Sequence, residues 1–261
     1  MYNFKKQYDP DYPIVVGLAG KAATGKTIVA ETIVPKASFG TNSNGLVWDH
    51  IFFAMPLYEF YSIRTKIEGM NAQSRKLFAT HETLYDLYGS SPLGNMPDYK
   101  NFVDLVNQIN NEPVDHDGSK PRSFLQKIGD YCRAYDEECF AKWGVRKANR
   151  IHSDYTSLLA EESELPHCVL ISDVRFMNEA QAILSQPNGI IIKFEASDEV
   201  RRERILARDF VLMTDEQLSH RSEREIDSMS DIIELVINSD SMSIEDQVNE
   251  TVKLIKESFG V

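Results

Sequence analysis

Short runs of apolar, largely β-branched residues alternate along the chain with longer stretches whose apolar residues recur at helical spacing. An apolar run that is bounded by turn residues is typical of a strand buried on both faces of a parallel sheet. Such runs lie at residues 14–19, 46–54, 168–172, 189–194 and 234–237. Strands that alternate with helices predict an α/β fold, here a doubly wound parallel five-stranded sheet.

Helical spacing fills the segments between the predicted strands. The predicted helices span residues 27–34, 56–67, 71–88, 99–109, 122–134, 137–160, 178–184, 198–208 and 244–258. Glycine and proline clusters at 89–92 and 113–121 break the helices of the middle region. We therefore expect a single domain over residues 1–261, with a helical insertion at about 66–121.

Composition narrows the classes of function. The chain has 261 residues, 42% of them hydrophobic, so it can bury a core, and its formal net charge is −12. That charge repels nucleic-acid backbones and anionic lipids, so we expect no DNA, RNA or membrane partner. No apolar run approaches the roughly 20 residues of a membrane span, and the N-terminus lacks a signal sequence, which predicts a cytoplasmic protein. The three cysteines show neither metal-ligand nor disulfide spacing.

Residues 20–27 form the strongest motif of the chain. Their sequence, Gly-Lys-Ala-Ala-Thr-Gly-Lys-Thr, matches G-x-x-x-x-G-K-[ST] between a predicted strand and a predicted helix. In this pattern backbone N–H groups surround a β-phosphate, the lysine reaches β and γ oxygens, and the last hydroxyl ligates Mg²⁺. The predicted ATP-binding residues are Gly20, Ala22, Ala23, Thr24, Gly25, Lys26, Thr27 and Ile28. The alternative is a glycine turn that merely caps a helix.

A second candidate site follows the strand at 168–172. In open α/β sheets ligands bind beyond the carboxyl ends of the strands, which is where Asp173 and Arg175 stand. Asp173 is suited to hold Mg²⁺ or to orient an acceptor, and Arg175 to neutralise phosphate charge. Asp49, which also follows an apolar run, is a competing carboxylate. Helix capping by Asp173 beside a surface arginine is the alternative.

One polar helix face is a candidate acceptor site. Arg122, Gln126, Asp130 and Arg133 recur at i, i+4, i+8 and i+11, opposite the apolar stripe of the same helix. An amide can bind a base edge, and arginines bind phosphate in bidentate fashion. A merely solvated face is the alternative.

A row of like charges marks the helix at 198–208. Arg201, Arg204 and Arg208 recur at i, i+3 and i+7, which is unfavourable unless an anion arrives. We therefore expect a lid-like segment at about 198–225 that closes over ATP phosphates. The alternative is a surface helix relieved by pairs such as Asp198 with Arg202. Residues 220–223, His-Arg-Ser-Glu, fall in an apparent loop and on their own are typical of a solvated loop or a helix cap.

Five segments together resemble the deoxynucleoside monophosphate kinases of bacteriophages, a branch of the P-loop kinases. They are residues 20–27, Phe-Ala-Met-Pro-Leu at 53–57, the 122–133 helix, Asp-Val-Arg-Phe-Met-Asn-Glu-Ala at 173–180, and residues 220–223. The likeness covers most of the chain outside 66–121. Relatives often carry aspartate after the loop lysine, where this chain has Thr27.

The resemblance implies ATP as phosphoryl donor, Mg²⁺ and a nucleotide acceptor. It adds Arg204 and Asn238 to the ATP side, and His220 and Glu223 to an acceptor side that also holds Arg122, Gln126, Asp130, Arg133 and Arg175. The implied catalytic residues are Lys26, Asp173, Arg175 and Arg208, with Thr27 and Asp173 at the metal. A dephospho-coenzyme A kinase and a P-loop ATPase coupled to a protein partner remain alternatives. The sequence leaves open the base preference and whether the chain forms a homodimer.

Overall fold

The computed structural model describes residues 6–34, 45–89, 99–114, 121–158, 165–210, 220–233 and 235–261. The strands are β1 (Ile14–Ala19), β2 (Val47–Ile51), β3 (His167–Val174), β4 (Gly189–Glu195) and β5 (Leu235–Asn238). The helices are α1 (Lys26–Ile33), α2 (Met55–Lys66), α3 (Ala72–Tyr88), α4 (Tyr99–Asn111), α5 (Arg122–Tyr135), α6 (Cys139–Leu158), α7 (Met177–Leu184), α8 (Asp198–Asp209), α9 (Arg221–Ser228) and α10 (Ile244–Phe259). A 3₁₀ turn, Met229–Asp231, follows α9.

The five strands form one parallel sheet in the order β2-β3-β1-β4-β5. The strand that precedes residues 20–27, β1, is therefore central, between β3 and β4. The predicted α/β class with five parallel strands is confirmed, and the architecture is consistent with a P-loop kinase fold. None of the described helices is long and apolar enough to cross a membrane.

The described residues fall into two compact units. The first comprises Met1–Phe52 with Gly144–Val261 and carries the whole sheet; the second is Phe53–Trp143 and is helical. The helices expected within 66–121 are present as α3 and α4, with residues 90–98 and 115–120 outside the described part. The assignment of that region as an insertion into a single domain stays a prediction.

Most predicted boundaries agree with the structure within a few residues. The predicted strand at 46–54 is shorter in the structure, and β3 extends two residues beyond the predicted end. Of the two interpretations of residues 220–223, the loop is wrong and the helix cap is confirmed, because α9 begins at Arg221 and the ring nitrogen Nδ1 of His220 accepts the Ser222 N–H at its start. Residues 159–160 of a predicted helix and residue 234 of a predicted strand lie outside the described residues.

Burial explains the continuous apolar pattern of the strands. Every residue of β1 is buried, and so are Leu170, Ile192 and Phe194 of the neighbouring strands. Strands covered on both faces need no polar side, so they lack the alternation of a half-exposed strand. In the second unit the buried core residues include Phe60, Leu84, Leu87, Phe102, Ile109, Phe124 and Ile128.

The connection from α7 to β4 requires glycine at position 189. A Cβ atom added there would lie 1.7 Å from the carbonyl oxygen of Ile183 and 2.7 Å from its carbonyl carbon. We expect Gly189→Ala to lower the free energy of unfolding by about 3 kcal/mol, since backbone must shift to relieve the overlap. Urea unfolding measures this change. Wild-type stability in the variant would contradict so close an approach of α7 to β4.

Candidate active site: a phosphate loop held by buried charges

The phosphate loop, residues 20–27, joins the end of β1 to the first turn of α1 in the first unit. Gly20 has φ +145°, and a Cβ there would lie 2.4 Å from the Phe194 carbonyl oxygen. Gly25 has φ +99°, immediately before α1. Both positions need glycine, one mainly for space and the other for its left-handed backbone. The loop therefore turns tightly around the end of β1, as the motif predicts.

Lys26 lies inside the turn of the loop. Its Nζ atom donates hydrogen bonds to the carbonyl oxygens of Gly20 at 2.6 Å and Lys21 at 2.7 Å, and to Thr24 Oγ1 at 3.1 Å. The side chain is buried. Burial and the neighbouring Arg175 lower the pKa of Lys26 well below its ordinary value of 10.5, against the opposing effect of the Glu223 carboxylate. The Lys26 side chain is thus held against the carbonyl oxygens of its own loop.

A buried carboxylate, that of Glu223 on α9, contacts the phosphate loop. It accepts hydrogen bonds from the Ala22 N–H at 3.0 Å, from Arg201 Nη2 at 3.2 Å and from Arg175 Nη1. Burial alone would raise the pKa of Glu223, but the Arg175 charge and the Ala22 N–H hold it below its ordinary value of 4.5. The carboxylate is therefore ionised near neutral pH. The resemblance implied an acceptor-side role for Glu223 and gave no sign of these contacts.

The arginine row of α8 is anchored to the same loop. Arg201 donates from Nε to the Ala22 carbonyl oxygen at 2.9 Å and from Nη1 to Asp198 at 2.7 Å. Arg204 donates to the carbonyl oxygens of Ala23 at 3.3 Å and Ser239 at 2.8 Å. The expectation of unpaired charges is wrong for these two arginines, because carboxylates and a backbone carbonyl accept from Arg201, and backbone carbonyls and Ser239 Oγ accept from Arg204.

Two other expected members of the lid are Arg208 and His220. Arg208 is exposed in the last turn of α8. His220 is the N-cap of α9, and its Nδ1 atom lies 2.9 Å from Ser222 Oγ. Residues 211–219 are outside the described part. The lid-like role of 198–225 stays a prediction.

Asp173 stands near the carboxyl end of β3, the strand that pairs with β1. Burial lowers the pKa values of Lys26 and His50, and the Asp173 charge opposes that lowering. Burial also acts to lower the pKa of Arg175, but the Glu223 and Asp173 charges together raise it above its ordinary value. Asp173 is thus an electrostatic neighbour of the phosphate loop and of the Arg175 guanidinium. The structure brings Lys26, Asp173, Arg175 and Glu223 together within the first unit.

The turn after β3 is fixed by another buried carboxylate. Glu179 Oε2 accepts the backbone N–H groups of Arg175 at 2.9 Å and Phe176 at 3.1 Å. These bonds hold the backbone at the start of α7, and they set the point from which the Arg175 side chain departs. Capping at this turn is thus carried by Glu179, whereas the alternative for this segment had given it to Asp173.

Asp49, the competing carboxylate, is bound elsewhere. Its Oδ2 atom lies 2.9 Å from Nε2 of His167, whose ring is fully buried at the start of β3. Asp49 is therefore a partner of a core histidine at the amino end of that strand. The same strand β2 supplies a residue that sequence reasoning missed: Nε2 of His50 lies 2.7 Å from Ser172 Oγ. In the sequence, His50 was marked only as a polar residue within the apolar run at 46–54.

Asn238 and Asp240 shape the turn after β5. The Asn238 side-chain oxygen accepts the Asp240 N–H at 2.9 Å, and the Asp240 carboxylate accepts the Ser197 N–H. The two side chains border a cavity of about 310 Å³. Its other polar lining residues are Lys21, Thr24, Lys193, Glu195, Ser197, Asp198, Arg201 and Asp227. A role of Asn238 in ATP binding stays a prediction.

The candidate acceptor face belongs to helix α5 of the second unit. Arg122, Gln126 and Arg133 are half-buried and Asp130 is exposed, while Phe124, Leu125, Ile128 and Cys132 are buried. The Arg133 guanidinium lies 4.6 Å from the centre of the Phe140 ring. A Cβ at Gly129 would lie 2.9 Å from its Nη1 atom, so the small residue makes room for it. Packing thus orients the arginine of this face.

The donor set of the first unit fits magnesium. Thr27 is exposed at the start of α1 and supplies a hydroxyl, and Asp173 supplies a carboxylate, both of them the oxygen ligands that Mg²⁺ prefers. The described residues contain no group of three or more His, Cys, Asp and Glu side chains arranged to hold a metal. A magnesium ion that is bound mainly by nucleotide phosphates and water requires no such group.

The chain thus combines a parallel α/β sheet with a loop that matches the G-x-x-x-x-G-K-[ST] pattern at the end of its central strand. No family model matches the chain. It is 27% identical over 244 residues to a protein of Acanthamoeba polyphaga mimivirus named "Putative deoxynucleotide monophosphate kinase", covering 88% of this chain and all of that protein. A crystal structure of TT1252 from Thermus thermophilus shares 18% identity with a TM-score of 0.44, over 94% of this chain and 96% of that one.

Proposed function

We propose that this protein is a nucleotide kinase that transfers the γ-phosphoryl group of Mg-ATP to a deoxynucleoside monophosphate. The observation that carries the proposal is the phosphate loop, in which the Lys26 side chain lies against the loop backbone at the end of the central strand. The name of the mimivirus relative supports the nucleotide kinase class, and its wording agrees with the acceptor implied by the sequence motifs.

On the donor side, the proposed ligands are the loop backbone, Lys26 and the arginines near it. The lysine now bonds two loop carbonyl oxygens, and ATP phosphate oxygens would compete for the same ammonium protons. A charged phosphate oxygen makes a stronger hydrogen bond to the ammonium than a neutral carbonyl oxygen does, so Lys26 is suited to bind nucleotide phosphates. Mg²⁺, when bound by Thr27 and Asp173, would supply further neutralisation of phosphate charge.

On the acceptor side, we assign the nucleotide to the α5 face of Arg122, Gln126, Asp130 and Arg133. The arginines of this face suit the phosphate of the acceptor nucleotide. The Gln126 amide suits the edge of a base, because the amide and the base edge each offer hydrogen-bond donors and acceptors. Arg133 is oriented by Phe140 and is therefore partly organised before any ligand binds.

The chemistry is an in-line displacement at phosphorus. An oxygen of the acceptor phosphate attacks the γ-phosphorus, the bond to the β–γ bridging oxygen breaks, and ADP leaves. The protein needs no covalent nucleophile in this reaction. Lys26, Arg175 and Arg208 would hold the phosphates and offset the charge on the transferring group, which is the main contribution of such sites.

A panel of acceptors tests the proposal. The four common deoxynucleoside monophosphates, their ribonucleotide counterparts and dephospho-coenzyme A are each offered with Mg-ATP, while ADP and phosphorylated product are measured. We expect product from at least one deoxynucleoside monophosphate. Phosphorylation of dephospho-coenzyme A alone would overturn the substrate assignment. ATP hydrolysis that no acceptor accelerates would overturn the kinase assignment and favour a P-loop ATPase.

A further inference from the structure

One residue of the phosphate loop, Ala22, is held on both sides of its backbone by one ion pair. Glu223 of α9 accepts its N–H, and Arg201 of α8 donates to its carbonyl oxygen. The two side chains also bond each other, Arg201 Nη2 to Glu223 Oε2 at 3.2 Å. Ala22, Arg201 and Glu223 are all buried, with exposed fractions of 3%, 6% and 4%. A closed ring of hydrogen bonds therefore surrounds a single loop residue.

Such a pair is poorly explained as a source of stability alone. Burying two charges costs free energy that their attraction often only balances, so a well-packed apolar pair would serve stability as well. An apolar pair, however, could not hold both polar groups of the Ala22 backbone. The ion pair therefore fixes a backbone conformation, and it does so in the loop that the proposed function assigns to ATP.

The same carboxylate also holds Arg175. Glu223 Oε1 accepts from Arg175 Nη1, and its Oε2 atom faces the loop. A quarter of the Arg175 side chain is exposed, and its Nη1 atom is held on Glu223. Glu223 is itself almost fully buried, and a carboxylate repels phosphate. These features favour a residue that organises the site over one that touches the acceptor.

We propose that Glu223 and Arg201 are positioning residues that set the phosphate-loop backbone and orient Arg175 for ATP. This inference rests on the proposed function, and it reassigns Glu223 from the acceptor side to the donor side. The expected signature is a loss of Mg-ATP affinity and turnover while the Michaelis constant for the acceptor stays unchanged.

The test compares Glu223→Gln and Glu223→Asp with Glu225→Gln. Glu225 is a matched control, because it lies on the same helix and also accepts a backbone N–H and an arginine, those of Met177 and Arg221. Calorimetry gives the dissociation constant of Mg-ATP, and steady-state kinetics give kcat and the acceptor KM. We expect the Glu223 variants to bind Mg-ATP about tenfold more weakly with kcat lowered roughly 10- to 100-fold, since small misplacements of a site are costly.

Each outcome separates the roles of Glu223. A raised acceptor KM with unchanged Mg-ATP affinity would return Glu223 to the acceptor side and overturn the inference. A lowered melting temperature with wild-type binding and kcat per folded molecule would leave a purely structural role, and also overturn it. If Glu223→Gln does not fold, Glu223→Asp keeps the charge but cannot span all three donors, and the same criteria apply. A wild-type protein that binds no Mg-ATP would instead reject the proposed function.

Discussion

Replacing Lys26 by alanine is expected to reduce phosphoryl transfer about 100- to 1000-fold, since preorganised positive charge at the transferring group is lost. The same change removes a donor from the carbonyl oxygens of Gly20 and Lys21, of which that of Lys21 still accepts from Thr24 Oγ1. We therefore expect a fall of about 1–3 kcal/mol in the free energy of unfolding, with the fold retained. Product formation at saturating Mg-ATP, together with circular dichroism and urea unfolding, measures both effects.

Lys21→Ala provides the control for that change. Lys21 belongs to the same loop, but its ammonium lies 2.9 Å from the Asp227 carboxylate, in a partly exposed pair. Partly exposed ion pairs contribute little to stability, so we expect Lys21→Ala to keep the free energy of unfolding close to that of the wild type and its turnover within a few-fold. Equal losses of turnover in Lys26→Ala and Lys21→Ala would show that the loop needs positive charge in general and not a lysine at position 26. Wild-type turnover in a folded Lys26→Ala protein would reject the phosphate-loop assignment outright.

The elements and the phosphate loop could be predicted from sequence because their signals are local. An apolar run such as residues 168–172 is buried on both faces wherever its sheet lies, and residues 20–27 carry their glycines and lysine within eight positions. Helix α9 was not predicted beyond the helix-cap alternative, because its first residues, Arg221 to Glu223, are polar and the cap is a histidine rather than one of the preferred cap residues. Strand order is a long-range property that no local pattern of this chain contained.

The contacts of the site residues could not be predicted from their spacing along the sequence. Arg201 and Glu223 are 22 positions apart and meet at Ala22, about 180 to 200 positions earlier in the chain. The i, i+3, i+7 row of α8 therefore suggested mutual repulsion, because its partners were invisible in the sequence. The competing carboxylates posed the same difficulty. Only the structure shows that Asp49 faces His167 while Asp173 acts on Lys26 and Arg175.

The different surroundings of Asp49 and Asp173 allow a test of which carboxylate binds the magnesium ion. Asp173→Asn keeps the size of the side chain and removes its charge. We expect kcat to fall about 100-fold and the Mg²⁺ concentration for half-maximal activity to rise, because a neutral amide is a weaker ligand for a hard cation than a carboxylate. Activity is measured over a Mg²⁺ titration, and ATP binding is measured separately without the metal.

Asp49→Asn is the matched control, since it makes the same chemical change at the carboxylate that bonds His167. An amide oxygen can still accept the hydrogen bond from that ring, so we expect turnover and Mg²⁺ dependence to stay within about twofold of the wild type. Without Mg²⁺, neither variant should bind ATP more weakly than the wild-type protein, because removal of a negative charge does not disfavour an anion. A shifted Mg²⁺ dependence in Asp49→Asn, with none in Asp173→Asn, would transfer the metal role to Asp49. A large loss of turnover in Asp173→Asn that no Mg²⁺ concentration relieves, with unchanged Mg²⁺ dependence, would instead assign Asp173 to orientation of the acceptor or of Arg175.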